Sequence, residues 1–191
     1  MLNIVIFGAP GSGKGTQSDK LIDHYKLFHI STGDVLRDNI RRGTELGQIA
    51  KGFIDQGQLV PDELIIDILG QVLDENKDHT SEGVIFDGFP RTIPQAEALE
   101  QLLADRGTQI DAVVGLEVPE EELIKRILLR GQMSGRADDN EETARKRLEV
   151  YHKQTSPLKA YYEDQGKYRP INGLGDIDDI FGQIKEALDN C

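Results

Sequence analysis

Short apolar runs and helix-period segments alternate along the chain. Leu2-Asn3-Ile4-Val5-Ile6-Phe7 is a nearly continuous apolar run, as expected of a strand covered on both faces. After a glycine-rich stretch, Ser18, Leu21, Ile22 and Tyr25 recur at helical spacing. Phe28-His29-Ile30 reads as a second strand, with His29 packed inside it, and Val84-Ile85-Phe86 as a third. Ile93, Ala96, Leu99 and Leu103 then share a helical face. Val113-Val114-Gly115-Leu116 is a fourth strand, and Pro119 suits the first position of a helix opening with Glu120, Glu121 and Glu122. Tyr168 to Ile171 is a weak fifth strand, followed by a last helix carrying Ile177, Ile180, Phe181, Ile184 and Leu188. Strand and helix in alternation predict an α/β fold with a parallel sheet and helices on both faces.

Two stretches exceed this alternation. Roughly fifty residues separate the second and third strands, where a crossover needs about a dozen. Leu36 and Ile40, then Leu46, Ile49 and Phe53, carry helical spacing through them. This predicts a small helical insertion from about Ser31 to Val60, then a helix through Leu64, Ile68 and Val72 that returns to the sheet. The second stretch, Gly131-Gln132-Met133-Ser134-Gly135, reads as a polar hinge-like loop between two arginine-bearing helices. Both begin beyond strand carboxyl ends, where ligands bind in such sheets.

A length of 191 residues suits a single domain with an ample core. The 22 basic against 34 acidic side chains give a net charge of −12, which disfavours nucleic acid and anionic membrane surfaces as partners. The one cysteine, Cys191, allows no internal disulfide and no cysteine zinc site. With no basic leader and no run long enough to span a bilayer, a cytoplasmic location is expected.

The strongest chemical signal is Gly8-Ala9-Pro10-Gly11-Ser12-Gly13-Lys14-Gly15-Thr16, directly after the first strand and opening the first helix. Glycines let main-chain N–H groups curl round an anion, the helix N-terminus adds partial positive charge, and Lys14 adds a full one. The general phosphate-loop pattern places Ser or Thr after the lysine to hold magnesium; here Gly15 stands there and Thr16 follows. That departure argues against GTPase switches and ATP-driven motors. The guanine signature fails as well, since Asn76-Lys77-Asp78-His79 has histidine at its decisive place.

Taken with three other segments, this loop, continued by Gln17, resembles the P-loop of the nucleoside monophosphate kinase family, in which glycine after the lysine is usual. Ser31-Thr32-Gly33-Asp34-Val35-Leu36-Arg37 is similar to its monophosphate-binding helix, Asp87-Gly88-Phe89-Pro90-Arg91-Thr92 to its third-strand signature, and Ser134 to Asn140 to its short lid and exit. Order and spacing hold over essentially the whole chain, and the likeness is greatest to the short-lid adenylate kinases. It implies a P-loop three-layer fold with five parallel strands. The core would be 1–30, 61–129 and 140–191, with a monophosphate-binding insertion at 31–60 and a short lid at 130–139. It also implies reversible phosphoryl transfer from magnesium-bound ATP to AMP, with no zinc in the lid.

Carried over residue by residue, the resemblance places ATP phosphates against Gly11, Ser12, Gly13, Lys14, Gly15 and Thr16, with Arg130 on the ATP side and the backbone of Gly175 near its adenine. AMP would meet Thr32, Arg37, Gln58, Leu59, Val60, Gly88, Phe89, Pro90, Arg91, Gln95, Arg136 and Arg147. Lys14, Arg91, Arg126, Arg130, Arg136 and Arg147 would carry the catalysis, and Asp87 would anchor Mg²⁺ through water. Asp138 and Asp139 would steady the lid arginines or cap the next helix. The residue types suit the chemistry. A phosphate nucleophile is already largely dianionic at neutral pH and needs no general base, whereas the charge in transit needs cations. Guanidinium forks grip phosphate oxygens in two-pronged fashion. Arg126 and Arg130 stand i, i+4 on one helix face, so both can reach one spot.

Thr32 and Gln95 lean toward adenine: a Gln amide donates and accepts at once, matching N1 and the exocyclic amine. A UMP/CMP kinase and a non-catalytic nucleotide-binding module are the alternative readings. A monomer is expected, since no extra element offers an interface.

Overall fold

The computed structural model describes residues 2–58, 60–134 and 141–190, with the backbone alone described at 131–134. Five parallel strands form the centre: β1 (Leu2–Gly8), β2 (Phe28–Ser31), β3 (Gly83–Asp87), β4 (Ala112–Glu117) and β5 (Tyr168–Asn172), in the order β2-β3-β1-β4-β5. Eight helices are described: α1 (Lys14–Tyr25), α2 (Thr32–Arg42), α3 (Glu45–Asp55), α4 (Asp62–Glu75), α5 (Ile93–Ala104), α6 (Glu120–Ser134), α7 (Glu141–Asp164) and α8 (Ile177–Asp189). This is the parallel α/β architecture the alternation predicts, with the five strands of the P-loop fold that the resemblance implies. No helix among the described residues is long and apolar enough to cross a membrane.

Period-two alternation in β1 divides the core. Val5 and Phe7 join Phe86, Val113, Leu99 and Tyr162 on one face of the sheet, while Ile4 and Ile6 join Leu21, Ile85, Val114 and Ile184 on the other. Both faces being covered explains why β1 reads as an unbroken run. Asn3 is the exception, fully buried yet hydrogen-bonded through its Nδ2 to Thr108 Oγ1 and the Gln109 carbonyl, which ties down the loop before β4. Register brings strand ends together: Ile6 and Ser31 both stand opposite Asp87, and Gly8 opposite Leu116.

The segment between β2 and β3 builds a small core of its own. Ala50, Leu64 and Ile68 are buried against Val35, Leu36, Leu46, Phe53 and Val60. Thr44 caps α3 by accepting from Gly47 N and donates to Asn39 Oδ1 at 2.8 Å. Gly47 lies so close under α2 that a Cβ would stand 2.2 Å from the Asn39 carbonyl oxygen.

Two expectations are corrected. The hinge-like loop is not a loop over 131–134, because α6 continues to Ser134; Gly135, Asp138, Asp139 and Asn140 lie outside the described residues. Glycine inside a helix costs only about 1 kcal/mol relative to alanine, which a helix anchored by buried Leu123, Ile124 and Ile127 absorbs. His29 is not packed inside the sheet either. β2 is an edge strand, and the imidazole is one-third exposed and turned to Asp87.

Candidate active site

The loop after β1 turns tightly. A Cβ at Gly8 would stand 2.5 Å from Ser12 Oγ and 2.8 Å from Lys14 Cβ, so only glycine leaves room for the chain to fold back. Gly13 takes φ 87° at the N-cap of α1, and nothing lies within 4 Å of where side chains would stand at Gly13 or Gly15. That open space is a cradle a Cβ would fill. Gly13 also offers no capping side chain to α1, leaving helix N-terminal N–H groups for an anion.

Above this loop lies a cleft of about 830 Å³. The loop from Gly8 to Thr16 lines one wall, with Gly88, Pro90 and Arg91 from the turn after β3 beside it. The opposite wall is α7, whose Arg147, Val150, Tyr151, Gln154 and Leu158 recur at helical spacing along one face. Arg130 comes from α6. Lys14, Arg91, Arg130, Lys146 and Arg147 therefore border one cavity in a chain of strongly acidic balance. Lys146 and Tyr151 were not singled out from sequence. Their signal is proximity to Arg147 on the same helix, which becomes visible only once the face of α7 is known.

Asp87 pairs with the lysine of this row. Lys14 Nζ lies 2.6 Å from its Oδ1, and His29 Nε2 lies 3.3 Å from its Oδ2. The hydrogen bond from His29, then the contact with Lys14, hold the Asp87 carboxyl at about 2, against the opposing effect of burial. The same bond to Asp87 raises His29 above its ordinary value. Because its folded value is raised, the His29 contribution to stability is complete below about 6.5 and is lost as pH climbs through the folded value. Asp87 contributes above about 3.8 and loses its contribution as pH falls through about 2. His29→Gln is expected to lower the melting temperature by a few degrees at pH 6 and by less at pH 8.5. Melts of both proteins across that range test it, and an equal deficit at the two values would exclude the charged pair.

Other sequence-derived residues lie elsewhere. Arg126 is absent from the cleft lining: its guanidinium donates to the Gly11 carbonyl and the Gly173 carbonyl, both at 3.2 Å, and to Glu122 Oε1. Phe89 is buried in the core beneath the cleft. Arg37 is exposed on α2 and paired with Asp34. Thr32 opens α2 beside Gly88, its Oγ1 3.9 Å from where a Gly88 Cβ would be. Val60 packs on the insertion's small core, Gln58 is exposed, and Gly175 is exposed in the loop before α8 with φ 114°. Leu59 and Arg136 lie outside the described residues.

Gln95 sits at a junction. Its Oε1 accepts from the Arg91 backbone N–H at 2.8 Å, and its Nε2 donates to Asp62 Oδ1 at 2.7 Å. The start of α5 is thereby linked to the start of α4, where the chain leaves the insertion. Arg91 itself donates through Nε to the Gly88 carbonyl at 3.0 Å, which orients the guanidinium plane.

The site also fits a magnesium ion carried by a nucleotide. Asp87 is an ionised, largely buried carboxylate at the cradle's edge. Among the described residues no cluster of three or more His, Cys, Asp or Glu side chains could cage a metal alone. Mg²⁺ favours such sparse sites, completing its shell with phosphates and water.

Comparison with known proteins agrees with this geometry. The family model described as adenylate kinase matches residues 6–167. The adenylate kinase of Bacteroides fragilis is 65% identical over 189 residues, covering 99% of each chain. That of Parabacteroides distasonis is 62% identical over 190 residues, covering 100% of this chain and 99% of the relative. That of Thermus thermophilus is 48% identical over 185 residues, covering 97% and 96%. An open glycine turn at the end of β1, cations gathered over it, and likeness at this level along the whole length lead to one conclusion: the chain belongs to the adenylate kinase family of phosphotransferases.

Proposed function

We propose that the chain catalyses Mg·ATP + AMP ⇌ Mg·ADP + ADP, with ATP phosphates on the loop Gly11–Thr16 and AMP between that loop and the insertion 31–60. The observation that supports it most is the row of Lys14, Arg91, Arg130 and Arg147 around one cleft above an open glycine cradle. In this reading a phosphate oxygen of AMP attacks the γ-phosphorus in line and ADP leaves. Lys14 follows the group in transit, and Arg130 steadies the donor side. Arg91, Arg147 and Arg37 hold the acceptor phosphate, with Arg136 joining from the lid at 130–139. Arg37 must exchange Asp34 for phosphate, which an exposed pair permits. Arg126 supports the donor loop from below. Asp87 would hold Mg²⁺ through water, and the ion would supply charge neutralisation at the β- and γ-oxygens.

The acceptor base meets Thr32, Gln58, Leu59, Val60 and Gln95, with Gly88, Phe89 and Pro90 shaping the floor. The insertion packs on α4 through Ala50, Leu64 and Ile68, and its closure over the cleft would exclude water, the competing acceptor. The reading is completed by a monomer in the cytoplasm, with no zinc and no nucleic-acid or membrane partner.

The direct test is ADP formation by the purified protein from Mg·ATP and each nucleoside monophosphate in turn. AMP is expected to be the best acceptor; equal use of CMP or UMP would favour the pyrimidine alternative. ATP binding without ADP formation would leave a binding module. Gln95→Leu is expected to raise the AMP Michaelis constant about tenfold, as loss of paired polar recognition does, while leaving that for ATP unchanged. An unchanged AMP constant would remove Gln95 from the base pocket.

A further inference from the structure

Gln17 is a buried glutamine that the phosphate chemistry does not use. It lies in the first turn of α1, directly after Thr16, is 2% exposed, and does not line the cleft. Its Nε2 donates at 3.1 Å to the carbonyl of Ile177, which opens α8 a hundred and sixty positions further along the chain. Its Oε1 has no hydrogen-bond partner within the protein. A buried amide satisfied on one side only is a costly way to fill space. An apolar side chain of equal length would pack there more cheaply, so what the amide supplies is the bond to Ile177.

That bond fixes one end of a short strap, Gly173–Ile177, running from β5 to α8. The other end is fixed independently. Arg126 donates to the Gly173 carbonyl, and the Gly173 N–H donates to the Glu117 carbonyl at 2.9 Å. A Cβ at Gly173 would meet Val118 at 2.5 Å, so the strap lies hard against the end of β4. Between the anchors, Gly175 is exposed with φ 114°, flanked by Leu174 and Ile177, which are 41% and 48% exposed. A backbone edge held at both ends between two uncovered apolar side chains is suited to a flat heteroaromatic ring.

We propose that Gln17 is a positioning residue for donor-base selection: by holding the Ile177 carbonyl it keeps the Gly173–Ile177 strap in one setting, and so makes the backbone at Gly175 discriminate adenine from guanine. This rests on the reading that the donor's purine lies against Gly175. Adenine carries an amine donor where guanine carries a carbonyl. A fixed backbone edge can satisfy one and not the other, whereas a strap freed at Ile177 can turn to suit either.

The test uses Gln17→Met, which keeps length and loses the donor, and Gln17→Leu, which fills the space with apolar atoms and also loses it. Each is assayed with ATP and with GTP as donor at saturating AMP, and with AMP varied at saturating ATP. In both variants the ATP Michaelis constant is expected to rise about fivefold and the ATP-over-GTP ratio of kcat/KM to fall about tenfold, with the AMP constant unmoved. A merely structural role would shift the two substrates alike. Folded variants with an unchanged donor ratio overturn the proposal. Should neither variant fold, backbone order parameters of Gly175 and Asp176 in the nucleotide-free wild type decide: values near ~0.85 support a held strap, and values below ~0.6 overturn it. A wild type that uses GTP as well as ATP would overturn the placement of the purine itself, and this inference with it.

Discussion

Lys14→Ala is expected to lower the turnover number about a thousandfold or more while the protein stays folded. The ammonium borders both the cradle and the cation row, where in the proposed reaction charge would spread over the phosphoryl oxygens as the group moves. Loss of one well-placed donor to such a charge costs about a hundred- to a thousandfold, and Lys14 supplies a full charge where no neighbouring side chain replaces it: Gly13 and Gly15 stand on either side. The fold loses little. Lys14 is absent from the apolar clusters, and Asp87 keeps its bond to His29 when the lysine is gone. Single-turnover rates and a thermal melt on the same preparation separate the two effects. Near-normal turnover in a folded variant would contradict the assignment, and so would a loss confined to ATP affinity with turnover unchanged.

Where a residue's conformation follows from its immediate neighbours, it could be read directly from the chain. The cradle is local, since Gly8, Gly13 and Gly15 act through backbone conformation within one turn. The strands were also legible, because β1, β3 and β4 are covered on both faces and so are almost wholly apolar along their buried stretches. Reading failed where a long side chain or a distant partner decides the outcome. Arg126 and Arg130 share a helical face, yet Arg130 borders the cleft while Arg126 reaches two main-chain carbonyls. A common face fixes where side chains leave the helix and not where their heads arrive. His29 looked packed because it sits between apolar neighbours, but at the sheet edge one side of the strand is open, and Asp87 comes from another strand. Gln17 bonds a carbonyl that only the arrangement of α1 beside α8 brings near it. Residues 131–134 are polar and glycine-bearing, which suits a loop, yet the buried face of α6 carries the helix through them.

Arg91 faces a different demand from Lys14, and its substitution separates charge from shape. Its backbone N–H is held by Gln95 and its Nε by the Gly88 carbonyl, so only the outer part of the fork is left to meet phosphate oxygens. Such pre-orientation means little reorganisation is needed as charge builds up on the transferring group. Arg91→Ala is expected to reduce kcat about a hundred- to a thousandfold, on the scale of losing one pre-organised donor. Arg91→Lys restores the charge but not the planar fork, and a lysine has no Nε–H to bond Gly88 while its head reaches the phosphate. It is therefore expected to recover no more than about a tenth of the lost rate, in line with the gap between a point charge and a two-pronged contact. The side chain is exposed and absent from the apolar clusters, so both variants should melt close to the wild type. Rates with AMP and ATP saturating decide the matter. Full recovery by lysine would mean that net charge alone is required and that the Gly88 contact is incidental, and a normal rate in the alanine variant would remove Arg91 from the transfer step.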